Sequence, residues 1–178
     1  MKEQEKYSRI SRPIVSDASP IIIFARSTHL SLLRDVTGSL IIPKAVYDEI
    51  VGGGRNFQEA EEIKKADWIR VEHIGSTDEL EELPKALGQG EKEAIILAKR
   101  LNTTILIDDL YARREAKRYG LYVIGSLGII YIAKEKGIIT DAKGVLDSLI
   151  EAGYYLDNNL YNSFLKELEE AGWGLSRN

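Results

Sequence analysis

The run Ile105–Leu121, I-L-I-D-D-L-Y-A-R-R-E-A-K-R-Y-G-L, decides how the rest of the chain is read. Thr104–Ile107 has the apolar character of a buried strand, and it ends in two aspartates, Asp108 and Asp109. A very basic helical stretch follows at once over Leu110–Tyr119 and stops at Gly120. Leu121–Ile124 then repeats the apolar strand pattern, and Gly125–Ser126 opens a helix running to about Lys136. Strand, helix, strand and helix in direct succession are the mark of a parallel α/β sheet.

The same alternation extends upstream. Ile14–Val15 leads into Ser16–Asp17, and Ser19–Pro20 starts a helix with Ser19 as the expected N-cap and Pro20 in the first turn. Leu40–Ile42 is a second strand closed by Pro43, and its helix carries Val46, Glu49 and Ile50 up to the glycines 52–54. A further helix is expected around Phe57–Ala66 and a strand at Trp68–Ile74. Gly75–Gly90 reads as a polar connection, and Glu91–Leu101 as a helix with the apolar stripe Ala94, Ile95, Ala98. Downstream, Thr140–Ala152 and Asp157–Ala171 form a helical hairpin, capped by Thr140 and Asp157 and stopped by Gly153 and Gly172. The expected organisation is a polar tail over residues 1–12, an α/β domain over 13–136 with a mostly parallel sheet flanked by helices in three layers, and a helical extension over 137–174 packed on that domain.

Composition narrows the chemistry. The chain has 178 residues, enough for one core without staples, and no cysteine, which excludes disulfides and thiolate metal sites. Its two histidines, His29 and His73, lack a ligand-like spacing, so a metal site here must be built mainly from oxygen, which favours Mg²⁺ or Mn²⁺. The charged start, M-K-E-Q-E-K, has no apolar core of a signal peptide, and no run is long enough to span a membrane, so a cytoplasmic location is expected. A net charge of −4 opposes wholesale wrapping by nucleic acid but allows a local basic patch.

In an open parallel sheet, ligands bind beyond the carboxyl ends of the strands. Asp17 and Asp109 both lie just past such ends. If their strands are neighbours, the carboxylates repel one another unless a cation or a proton sits between them. Glu49 lies beside the inward face of its helix, and Glu91 opens a helix whose stripe faces the sheet. Ordinary roles compete with this reading: Glu91 and Glu93 suit a helix N-terminus, Asp108 or Asp109 is needed as an N-cap, and Glu49 fits a solvated face.

Taken together, I-V-S-D-A-S-P, I-I-P-K-A-V-Y-D-E-I-V-G-G-G, G-Q-G-E-K-E-A-I-I-L-A and I-L-I-D-D-L-Y-A-R-R-E-A-K-R-Y-G-L resemble the PIN-domain family, and more narrowly its VapC-like branch. The likeness covers roughly residues 12–136. It implies a PIN-like fold and a metal-dependent endoribonuclease, the toxin half of a toxin–antitoxin pair, acting on RNA with Mg²⁺ or Mn²⁺. It implies Asp17, Glu49, Glu91 and Asp109 as the catalytic acids, with Asp17, Glu91 and Asp109 as principal metal ligands and Asp108 competing with Asp109. Ser19 is a supporting hydrogen-bonder, and Glu93 rivals Glu91, which is Glu where that branch usually has Asp. A small antitoxin protein and a homodimer are the expected partners.

The helix after Asp109 carries Arg113, Arg114, Lys117 and Arg118, stacked in pairs four residues apart. They are candidates for an RNA backbone, or else a solvated face with Glu115 in compensation. Two other functions are weighed. A non-catalytic PIN-like module binding RNA or protein would leave the acids idle. An acidic-pocket phosphatase wants Asp-x-Asp at the first strand, where this chain has Ser19, and a receiver-like domain wants a strand-end Lys that is not found.

Overall fold

The computed structural model describes residues 10, 13–52 and 57–172. The expected polar tail (Ile10 apart), Gly53 and Gly54 of the glycine run, and the end of the expected extension lie outside the described residues. Five strands, β1 (Ile14–Ser16), β2 (Leu40–Pro43), β3 (Ile69–Glu72), β4 (Ile105–Leu106) and β5 (Val123–Ile124), form one parallel sheet in the order β3-β2-β1-β4-β5. The helices are α1 (Ala18–Arg26), α2 (Leu30–Thr37), α3 (Lys44–Gly52), α4 (Phe57–Lys64), α5 (Asp78–Glu81), α6 (Gln89–Leu101), α7 (Leu110–Arg118), α8 (Ser126–Glu135), α9 (Ala142–Glu151) and α10 (Asn158–Gly172).

Period-two alternation divides the core into two sides. Ile14, Leu40, Ile42, Leu106 and Ile124 turn to one face, where Phe24, Leu33, Ile129, Leu146 and Phe164 of α1, α2, α8, α9 and α10 cover them. Val15, Ile41, Ile105 and Ile107 turn to the other, under Ile95 and Ala98 of α6 and Ala112 and Ala116 of α7. Ile95 and Ile105 are wholly buried, each contributing roughly 2 kcal/mol by leaving water. The result is the three-layer α/β architecture the pattern implies. Both tail helices lie against α8, and Val145, Leu146, Leu149, Phe164 and Leu168 are buried there, while Leu160 stays 45% exposed.

Several local expectations change. The helix after β1 begins at Ala18, so the N-cap is Asp17 and not Ser19, which is exposed inside the first turn. The strand runs to Ser16 and leaves one residue before the helix, too short a link for Ser19 to reach the cap position. A break at Ser27–His29, with Thr28 at φ 63°, separates α1 from α2; the apolar pattern does not show it. Helix α6 starts at Gln89, which makes Glu91 its third residue. In the tail, Asp141 replaces Thr140 as the cap of α9, accepting from the Gly144 amide at 2.8 Å, because the helix starts one residue later than Thr140 requires. Asp157 does cap α10, through the amides of Asn159 and Leu160.

Topology sets the site. From β1 the chain crosses through α1 and α2 to β2 on one side, whereas β4, on the other side of β1, crosses through α7 to β5. Crossovers of one hand, leaving in opposite directions, put their helices on opposite faces. The gap between them opens at the carboxyl ends of β1 and β4. Those ends are in register: Val15 pairs with Ile105, Ser16 with Leu106, and the Asp17 amide donates to Leu106 O at 3.0 Å.

Candidate active site

Asp17 stands at this opening, only 5% exposed. Its carboxyl is raised from the usual carboxylate range to about 7, first by burial and then by the charges of Glu91 and Glu49; the amides of Ala18 and Ser19 offset part of the shift. Glu91, half-buried, is also raised, by burial and by the charges of Asp109 and Glu49. Asp17 thus feels the charges of Glu91 and Glu49, and Glu91 those of Asp109 and Glu49, although β1, α3, α6 and the end of β4 supply these residues separately. None of the four makes an ion pair with a described Lys or Arg.

Each acid is placed by an identifiable local device. Asp109 caps α7, its Oδ1 accepting from the Ala112 amide at 2.8 Å. Glu91 reaches back to the Gly88 amide at 2.8 Å at the start of α6. Glu49 is exposed on α3, which packs closely on α6 because of Gly90: a methyl group added there would lie 3.1 Å from Glu49 Oε2 and 3.2 Å from Val46 Cγ2. Gly90 is a positioning residue that the sequence reading passed over, although it lies inside the quoted G-Q-G-E block.

The rival acids stand elsewhere. Glu93 bridges two helices, accepting from the Ala45 amide at 3.2 Å and from Gln89 Nε2 at 2.9 Å. Asp108 accepts from the Ser126 amide at 2.8 Å and from Ser126 Oγ at 2.5 Å, and it takes the Tyr154 hydroxyl as a further donor. Burial pushes its carboxyl up, and the Arg113 guanidinium partly offsets this. Burial likewise pushes the Tyr154 phenol far up, with Asp108 adding to the shift. Asp108 is not among the charges that act on Asp17 or Glu91. Gly125 makes room for this knot, since a side chain there would collide with Arg113 and lie 3.0 Å from Asp108 Oδ1.

The basic helix divides as well. Arg113 folds back, donating to Ile107 O at 3.0 Å beside Asp108. Arg118 pairs with the buried Glu115 at 3.0 Å. Arg114 and Lys117 are exposed. Of the four candidate cations, these two are the ones no described carboxylate engages.

Ser19, Asp108 and Asp109 also line a cavity of about 490 Å³, whose far wall is Gly153–Asp157 with Leu110 and Leu160 at its mouth. Among the described residues, no three acidic or histidine groups are arranged to close on one metal ion. Glu91 and Asp109 each turn one oxygen towards the start of their own helix.

The match of this chain to a family model settles the wider question: residues 13–170 fit the DUF3368 model, which describes a PIN domain. The chain belongs to the PIN-domain family. A PIN domain is a fold of nuclease type, a hydrolase fold generally used with divalent metal ions. No curated protein matches the chain. Among solved structures, a PilT N-terminus domain protein, SSO1118, from the hyperthermophilic archaeon Sulfolobus solfataricus aligns over 82% of this PIN domain's chain and 97% of its own, at 15% identity and a TM-score of 0.48. No helix among the described residues of the PIN domain is long and apolar enough to cross a membrane.

Proposed function

We propose that this PIN domain is a Mg²⁺- or Mn²⁺-dependent endoribonuclease. The observation that carries the reading is that Asp17, Glu49 and Glu91 lie close enough to repel, with Asp109 acting on Glu91, and that none of them pairs with a described Lys or Arg. The donor set fits a hard divalent ion: all its atoms are oxygens, and Mg²⁺ needs only one or two protein carboxylates when water and phosphate complete its shell. A preassembled cage of three acids is therefore not required.

When bound, the ion supplies charge neutralisation at phosphate and lowers the pKa of a water. Asp17 and Asp109 would hold it, with Glu91 joining them by releasing the Gly88 amide. Asp17 is fully anionic only above about pH 7, so protons and cations compete for the same carboxylate. Glu49, on the rim, accepts the hydrogen bond of the water that attacks phosphorus in line with the leaving oxygen. Ser19, exposed beside Asp109, offers its hydroxyl to a phosphate oxygen, and Arg114 and Lys117 neutralise the approaching strand.

Cleavage of a labelled RNA with Mn²⁺ by wild type and by Asp17→Asn tests the reading; equal rates would overturn it. Absence of Mn²⁺ binding at millimolar concentration would favour the non-catalytic module instead. A role as the toxin of a toxin–antitoxin pair, acting as a homodimer restrained by a small antitoxin, rests on the VapC-like sequence blocks alone. Sedimentation of the pure chain, and co-purification with the product of any small adjacent gene, test those two parts.

A further inference from the structure

Beside the carboxylates lies a second feature that phosphodiester chemistry alone does not use. The segment between α9 and α10 is fixed at several points. Gly153 has φ 107°, the Tyr154 amide donates to Leu149 O at 2.9 Å, the Tyr154 hydroxyl bonds Asp108, and Asp157 caps α10. Between these anchors Tyr155 is 89% exposed, although it lines the cavity that also contains Ser19 and Asp109. Leu110, 69% exposed, and Leu160 complete an apolar rim around the same opening. A phenol ring held out in water by a well-anchored loop gains nothing from the core, and it is pre-organised to receive a flat apolar partner.

We propose that this cavity is the subsite for the nucleobase next to the scissile phosphate of a single-stranded RNA, with Tyr155 as its stacking face. The inference rests on the nuclease reading above for the identity of the strand. Its volume of about 490 Å³ falls within the range of ligand-sized pockets. Continuity supports the assignment: Ser19, Asp108 and Asp109 line the same cavity as Tyr155, so a phosphate held by an ion on Asp109 would leave its adjoining base facing Tyr155. Aromatic stacking tolerates any base and demands an unpaired strand. The subsite therefore selects for single-stranded character and leaves base identity open.

The test is fluorescence titration of the full chain with a short single-stranded RNA carrying one 2-aminopurine, in Ca²⁺ as an ion that holds phosphate in place of Mn²⁺, with the strand checked to be intact afterwards, alongside cleavage assays in Mn²⁺. Wild type and Tyr155→Phe should quench the probe, and Tyr155→Ala should lose the quench and bind about tenfold more weakly. The slope of log affinity against log salt should not change in Tyr155→Ala, because no phosphate contact is removed, whereas the pair Arg114→Ala and Lys117→Ala should flatten it. In cleavage, Tyr155→Ala should raise KM by a similar factor. Wild-type quenching without cleavage would leave the subsite standing and remove the nuclease. Cleavage with the same KM and the same probe signal in Tyr155→Ala would do the reverse. A wild type that never quenches overturns the subsite and points to a protein partner on the same rim.

Discussion

Asp108 and Asp109 are neighbours in the chain, yet they belong to regions built on opposite principles. Asp108 sits in a knot with Ser126, Tyr154 and Arg113, where hydrogen-bond donors and a cation answer its charge. Asp109 faces Glu91, which with Glu49 also acts on Asp17, so that charge meets like charge and no described Lys or Arg pairs with them. A satisfied buried carboxylate holds structure together. An unsatisfied group of them stores free energy that a ligand can release. Acidity alone does not mark a site; the absence of answering groups does.

The comparison breaks most sharply if its two sides respond alike to mutation. Asp17→Asn should lower RNA cleavage by roughly 10²- to 10⁴-fold, the range for removing an essential acid–base or anchoring group, while the folded state remains. Asp108→Ala should instead cost about 1 to 3 kcal/mol in denaturant unfolding, because it leaves the Ser126 and Tyr154 donors without their acceptor. Mn²⁺ affinity measured on the folded fraction should stay near wild type.

The next effect is in pH. Asp17 titrates near 7 when folded against 3.8 as its ordinary value. Between those limits the folded state keeps a proton that the unfolded state has released, so the contribution of Asp17 to stability is full below pH 4 and is lost as pH rises towards 7. The loss attributable to Asp17 is about 4 kcal/mol. Thermal unfolding from pH 4 to 8 should show this decline, Asp17→Asn should flatten it, and millimolar Mn²⁺ should restore stability most at the alkaline end. Cleavage should rise through pH 7, with its midpoint moving down as Mn²⁺ concentration increases.

Gly90→Ala gives the smallest effect and sharpens the picture of how the acids are held. The added methyl crowds Val46 and Glu49, so α3 and α6 must separate slightly. The expected results are a loss of about 1 kcal/mol in stability and a several-fold weaker Mn²⁺ affinity, read by isothermal titration.

Which features were legible depended on how local their causes are. Apolar runs ending in Asp suffice to place Asp17 and Asp109 at the same edge of a parallel sheet, but that their strands adjoin comes from the β3-β2-β1-β4-β5 order, which strand patterns leave open. The roles of Asp108 and Asp109 were not separable from sequence: the partners that claim Asp108, Ser126 and Tyr154, arrive 18 and 46 residues later in the numbering. Ser19 was read as a cap by residue type, but the length of β1 gave that position to Asp17. Spacing of four stacked Arg113 with Lys117, yet Arg113 turns inward towards a carbonyl at the sheet edge, which a helix pattern cannot anticipate.

The pairing of β1 directly with β4 has a consequence for synthesis. The two strands are separated by about 90 residues of chain, and closing such a loop is slow and entropically costly. A ribosome must release β4 before Asp17 can meet Asp109, and must reach Tyr154 before the end of β4 is tied down. Until then the growing polypeptide carries its acids far apart. An unfinished copy thus lacks the gathered set of acids that the finished fold presents.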